Sequence, residues 1–143
     1  MIRPAVAADL GGIVAVFEPS FATLDFLPLL HTHQEHLAYF GRAIAEGEAY
    51  VHEQDGIDGF AALAGDVLSH LYVAPEAFGR GVGSALFAEA KRQRPAGFTF
   101  WVFQQNERAR SFYERRGCSA VRFTDGAGNE ERTPDVLYEW RPH

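Results

Sequence analysis

Cysteine is almost absent: Cys118 is the one thiol in 143 residues. A single cysteine excludes an intrachain disulfide framework and fits a reducing compartment. Because it directly follows Gly117, it reads as a buried thiol at the start of a strand. Long apolar runs are missing as well. No stretch approaches the roughly 18 residues of a membrane span, and the opening MIRPAV carries no long apolar signal core. The expectation is a cytoplasmic protein with no membrane partner. Internal repeats and low-complexity segments are also missing, which excludes solenoids and disordered tracts. What remains is a chain of one-domain length, residues 1–143, able to bury about 68–70% of its unfolded surface.

Positive charge is in short supply: 13 Lys and Arg stand against 19 Asp and Glu, for a net charge of −6. That balance argues against a nucleic-acid partner. The deficit is uneven. Residues 80–122 hold nine of the 13 basic residues and three acidic ones, a net +6, which leaves −12 for the rest. A basic segment suits an anionic cofactor, and an acidic remainder suits a cationic second partner.

Apolar periodicity gives a short first strand at IRPAV and a helix from about Ala8 to Phe17, with Leu10, Ile13, Val14 and Phe17 on one face. Gly11 and Gly12 weaken that helix. The stretch SFATLDFLPLL is apolar without a clean period and carries Pro28, so it reads as a loop of exposed or pocket-lining hydrophobes. Thr32 and Glu35 form a capping box for a second helix, whose stripe of Leu37, Phe40 and Ile44 ends near Gly47. EAYVHE and IDGFAALA flank an Asp-Gly turn and read as a hairpin. A further strand, VLSHLYVAP, runs toward a glycine loop and a helix from about Gly83 to Arg94, stopped by Pro95. FTFWVF reads as a buried strand, and NERARSFYERRG as a helix capped by Asn106 and closed by Gly117. SAVRFT and DVLYEW supply two last strands around a turn-rich connection. The resulting order, βααβββαβαββ, is an α/β mixed sheet with helices on both faces.

The segment FGRGVGSAL, residues 78–86, sets three glycines at alternate positions ahead of a helix. Glycine permits φ > 0 and close backbone approach, and helix N-termini present unpaired N–H groups to anions, so the pattern points to a phosphate cradle. A P-loop is excluded because no lysine sits near it. A dinucleotide fingerprint fails too. A frame starting at Gly79 ends on Ser84, one starting at Gly81 ends on Leu86, and residues 97–103 supply no acid.

LYVAPEAFGRGVGSALF resembles the acetyl-CoA motif of the Gcn5-related N-acetyltransferases, and NERARSFYERRGC resembles the Asn-containing helix that follows it in that family. The element order agrees over essentially the whole chain, and GNEERTPDVLYEW is similar to the C-terminal part of small bacterial members. The family's loop reads Gln or Arg, two residues, Gly, one residue, then Gly or Ala. Gly81 and Gly83 match it, whereas Phe78 stands where Gln or Arg is usual. The resemblance implies acetyl-CoA as cosubstrate, no metal, and a cofactor site made of Leu71, Tyr72, Val73, Gly79, Arg80, Gly81, Gly83, Ser84 and Asn106. Leu71–Val73 would hydrogen-bond the pantetheine arm as a neighbouring strand would, and the Val73 N–H would polarise the thioester carbonyl. Gly81 and Gly83 would keep Cβ atoms out of the space between backbone donors and pyrophosphate. Arg80 would supply the charge that Phe78 lacks. Asn106 has two readings, cofactor ligand and helix N-cap.

By the same resemblance, Tyr113 is the general acid for the departing thiolate; a phenol of pKa about 10 stays neutral at pH 7 and can supply the proton. Phe112 and Tyr113 diverge by about 100° on a helix, and this reading gives Phe112 the core. His70 is a candidate base, on the strand before the loop and on the face of Tyr72. A buried structural histidine is the alternative, with Ser69, Asp66 or a water relay as base instead. His31, His33 and His36 invite a zinc reading, but no carboxylate and histidine signature surrounds them. The expected activity is direct transfer of an acetyl group to a primary amine of a small molecule, a lysine or a chain N-terminus. Its acceptor site is expected between Phe21–Leu30 and the turn Asp125–Asp135, where Glu130 and Glu131 face one base, Arg132. A non-catalytic acyl-CoA sensor and a generic nucleotide-binding domain are the competing readings, and homodimerisation is left open.

Overall fold

The computed structural model describes residues 1–142. Its elements are β1 (Ile2–Pro4), α1 (Leu10–Ala22), α2 (His33–Glu46), β2 (Glu48–Glu53), β3 (Ile57–Ala64), β4 (Val67–Val73), α3 (Val82–Gln93), β5 (Phe98–Phe103), α4 (Glu107–Glu114), β6 (Ser119–Phe123) and β7 (Asp135–Trp140). That order is the one read from the sequence. The strands form one mixed sheet ordered β1-β2-β3-β4-β5-β7-β6, in which β4 and β5 alone run parallel. No described helix is long and apolar enough to cross a membrane.

β3 shows how the helices settle on the two faces. Gly59 turns toward α3, and a Cβ there would lie 2.7 Å from Val82 and 2.9 Å from Leu86. The missing side chain lets α3, and the loop that precedes it, sit directly on the sheet. Phe60 turns the other way, its ring 5.4 Å from that of Phe40 on α2. Gly12 does for α1 what Gly59 does for α3, since its Cβ would meet Ile57 at 2.8 Å. So the glycine that weakens α1 as an isolated helix is what allows its close approach.

Two readings are corrected here. First, α1 continues through Pro19 to Ala22 instead of ending at Phe17. Pro19 lacks the N–H that would bond one turn back, but the added turn buries Ser20 and brings Phe21 to 5.3 Å from Phe17, so packing outweighs the lost bond. Second, β5 is buried on one face only. Phe98, Phe100 and Val102 lie in the core under α3 and α4, while Trp101 is 46% exposed on the opposite face. The second helix is as expected, with Thr32 accepting from the Glu35 N–H and Glu35 from the Thr32 N–H. Cys118 is buried just ahead of β6, and burial pushes its thiol up to about 11.

Candidate active site

The parallel pair β4 and β5 makes the site by failing to stay paired. It holds one register, Val67 with Thr99, closed by Thr99 N–H donating to Asp66 O at 3.0 Å, and then splays. On its other side β4 is fully laddered to β3, and Ala74 N–H donates to Asp58 O at 2.9 Å. Backbone groups in an antiparallel ladder alternate in direction, so with Ala74 facing β3 the N–H and C=O groups of Val73 and Leu71 face the gap. They form an edge ready to pair with an extended amide-bearing ligand. The gap opens into a cleft of about 870 Å³, lined by Leu71, Tyr72 and Val73 on one side and by Asn106, Phe112 and Tyr113 of the α4 segment on the other.

The glycine loop closes one end of this cleft. Gly79 and Gly81 take φ of 78° and 84°, the left-handed region that favours glycine, and Gly81 is the N-cap of α3 with no side-chain cap. No carbonyl of the described residues accepts from the N–H groups of Gly81, Val82, Gly83 or Ser84, which are the orphan donors of the α3 start, nor from that of Gly79 just before them. Gly79, Gly81, Gly83 and Ser84 line the cleft, where the positive end of a 12-residue helix lies. Added Cβ atoms at Gly79 and Gly81 would meet nothing within 4 Å. Gly83 has a packing reason beside the one expected. Its Cβ would sit 3.3 Å from the Phe112 ring, so this glycine admits the side chain of α4 and does not merely clear room for phosphate.

Three guanidinium groups of α4 and its C-terminal turn, Arg108, Arg115 and Arg116, also line the cleft. No carboxylate pairs with them among the described residues, while Arg92, Arg94 and Arg110 elsewhere all have acidic partners. Arg116 lies over the Phe112 ring at 3.6 Å and donates to the Phe112 carbonyl at 2.9 Å and to Ser84 Oγ. Cations crowded at a helix N-terminus repel its dipole, an arrangement that an anionic ligand relieves. Arg80, expected to serve the loop, is exposed and does not line the cleft. The sequence signal for the three arginines was present in the basic run 108–116 but gave no direction for any side chain.

Tyr113 and Phe112 exchange their expected places. Tyr113 is 8% exposed, its ring 4.3 Å from Phe100 and 5.6 Å from Phe87, and Phe112 is the half-buried member, against Gly83. The reason is reach: a phenol can bury its ring and still bring its hydroxyl to the cleft wall, as Tyr113 does. No other described residue hydrogen-bonds that hydroxyl, which keeps contact with solvent, and burial of the ring raises its pKa, with the neighbouring phenol of Tyr72 adding to the effect. Asn106 is the N-cap of α4, its Oδ1 accepting from Ala109 N–H at 3.2 Å, which leaves its amide nitrogen free toward the cleft.

His70 does not line the cleft. It shares a face with Tyr72, as expected, and its Nε2 lies 2.8 Å from Tyr39 Oη between Tyr39 and Phe40. Burial lowers its pKa to about 4, which fits a neutral structural imidazole rather than a base acting in the cleft. His33 and His36 are both taken by Glu18, at 2.9 and 2.7 Å, and no group of three potential metal ligands exists among the described residues. His31 Nε2 meets Glu130 Oε1 at 2.5 Å. This contact joins the segment after α1 to the β6–β7 turn, the two segments expected to flank the acceptor.

A splayed parallel pair, an uncapped glycine loop and an amide-bearing edge together fit an acyl-CoA, and a family model described as an acetyltransferase (GNAT) domain matches residues 42–117. The chain belongs to the GNAT family of acetyltransferases. Among GNAT proteins it is similar to the peptidyl-lysine N-acetyltransferase YiaC of Escherichia coli (strain K12), at 32% identity over 100 residues. That match covers 68% of this chain and 66% of YiaC. The fold is similar to the apo-form solution structure of YjaB from Escherichia coli, with a TM-score of 0.78 and 26% identity over 98% of this chain and 96% of that one. It is also similar to yncA of Salmonella typhimurium, described as a putative acetyltransferase with its cofactor acetyl-CoA, with a TM-score of 0.72 and 20% identity over 100% and 95%.

Proposed function

We propose that residues 1–143 act as one catalytic domain that transfers the acetyl group of acetyl-CoA directly to an amine, with a lysine side chain as the favoured acceptor. The observation that carries this reading is a continuous one. The unpaired edge of Leu71 and Val73 runs into the open N–H groups of Gly79 to Ser84, and the unpartnered Tyr113 hydroxyl lines the same cleft.

Acetyl-CoA supplies an acetyl group already activated as a thioester. The chain's part is to bind and orient it and to manage charge. Leu71 and Val73 offer backbone donors and acceptors to the amides of the pantetheine arm, and the Val73 N–H is the donor for negative charge developing on the thioester oxygen. The open N–H groups of Gly79, Gly81, Gly83 and Ser84 hold the pyrophosphate. Tyr113 donates its proton to the departing thiolate. Burial raises the phenol's pKa, and the same surroundings raise that of the leaving thiol in the same direction, which offsets the cost of the transfer. No histidine among the described residues lines the cleft, and the proton of the amine leaves through a water relay at the end lined by Asp25.

For the acceptor, Asp25 lines the cleft beside Thr23, Leu24 and Phe26, and Glu131 is near enough to raise the pKa of Tyr72 further after burial. Acidic groups at this end favour a cationic substrate, and YiaC is named for peptidyl-lysine. The test is thiol release from acetyl-CoA with a panel of lysine peptides, free amines and acidic amines. Turnover is expected with lysine peptides, falling with added salt. Tight acetyl-CoA binding with no turnover across the panel would replace this reading by the non-catalytic one.

A further inference from the structure

We propose that Arg108 holds the cofactor's pyrophosphate, in place of the polar side chain that the loop lacks at Phe78; this rests on the acetyl-CoA reading of the cleft. Phe78 immediately precedes Gly79, the first open donor of the loop, and its ring cannot itself bond an anion. The guanidinium of Arg108 lies 3.9 Å from the centroid of that ring, and both side chains line the cleft with Gly79 and Gly81. A guanidinium resting on an aromatic face spends that face on the ring and keeps its N–H edges free, which is the geometry that clamps a phosphate. Asn106 fixes where α4 starts, so Arg108 falls in the first helical turn and its position is set by the helix rather than by a loose loop. Asp25 and Glu107 line the same cleft, and neither pairs with Arg108.

Phe78 and Arg108 thus work as a two-part device: the loop supplies a platform and α4 supplies the charge. A cation so held ought to be replaceable by one placed at position 78 itself. The experiment measures CoA and dephospho-CoA binding by titration calorimetry for wild type, Arg108→Ala, Phe78→Ala and the double variant Phe78→Arg/Arg108→Ala, with apo melting temperatures as a folding control. Arg108→Ala should weaken both ligands by the same factor, about tenfold, because each carries the pyrophosphate. Phe78→Ala should lose less, and the double variant should recover most of the loss. Wild-type affinity in Arg108→Ala overturns the proposal. A loss for CoA with none for dephospho-CoA also overturns it, since Arg108 would then serve the 3′-phosphate. If wild type itself binds neither ligand, the acetyl-CoA reading falls, and the assignment of Arg108 with it.

Discussion

Tyr113→Phe separates chemistry from packing in this protein because its hydroxyl has no bond to lose in the fold. Its ring touches Phe100, Phe87 and Phe112, and a phenylalanine keeps all three contacts. The hydroxyl bonds no other described residue and is not sealed from solvent, so its removal leaves no donor or acceptor of the fold stranded. The expected stability change is within about 0.5 kcal/mol, or roughly 1–2 °C in Tm. General acid catalysis contributes typically 10²–10⁴-fold, which is about 2.7–5.4 kcal/mol of barrier. The variant should therefore lose at least about a hundredfold in kcat while acetyl-CoA Kd and Tm hold nearly constant. Thiol release at saturating amine, under conditions where chemistry limits the rate, reads the first quantity, and calorimetric titration and thermal melts read the others. Because burial raises the phenol's pKa, the wild-type profile should show no ionisation of Tyr113 below about pH 10. A loss under about fivefold is only about 1 kcal/mol and refutes the acid role. Equal losses in kcat and Kd with a lowered Tm would refute it differently, by making Tyr113 a packing residue.

Three further perturbations follow from particular contacts. Gly59→Ala puts a methyl group 2.7 Å from Val82 and 2.9 Å from Leu86, which should lift α3 and cost about 1–3 kcal/mol by denaturant unfolding, with weaker CoA binding; an unchanged midpoint would mean that α3 is not seated as described. Gly81→Ala meets no atom but must hold φ of 84°, so a stability loss of about 1–2 kcal/mol should appear with a clear loss of CoA affinity, and a variant equal to wild type in both would remove the need for a left-handed residue at the head of α3. His70 is held neutral, with its pKa lowered by burial to about 4, so its contribution is fully present above about pH 6.5 and lost as pH falls through 4. That loss amounts to at most about 3 kcal/mol, and His70→Gln should flatten the slope of stability against pH between those limits; an unchanged slope would assign the acid sensitivity to other groups.

Elements with a strong local signal were legible from the sequence. The Thr32 and Glu35 capping box, the Asp-Gly hairpin and the Asn106 cap each depend on contacts within a few residues, and each stands in the structure where expected. The extension of α1 across Pro19 was not legible, because what holds it is burial of Ser20 and the contact of Phe21 with Phe17, and a proline is read locally as a helix breaker. The exposed face of β5 was hidden for a related reason. A strand of aromatic residues looks buried on both sides, and only the sheet order β4-β5-β7 with α4 on one face leaves Trp101 open.

At the site, backbone chemistry was easier to read than side-chain direction. Glycines at 79 and 81 announce left-handed turns, and Leu71 to Val73 follow from the strand that leads to them, so the backbone that lines the cleft could be named in advance. Phe112 and Tyr113 could not be sorted the same way. A difference of about 100° around a helix says that two residues part company but not which one meets the core. The reading that gave Phe112 the core failed because a tyrosine can bury its ring and still bring its hydroxyl to the cleft. Arg108 was hidden by distance: it lies 30 positions beyond Phe78 and reaches it only because α4 starts at Asn106, across the cleft from the glycine loop. A departure from a loop pattern is therefore poor evidence of lost function until the opposite wall of the site is known, since the charge missing from one element can be carried by another.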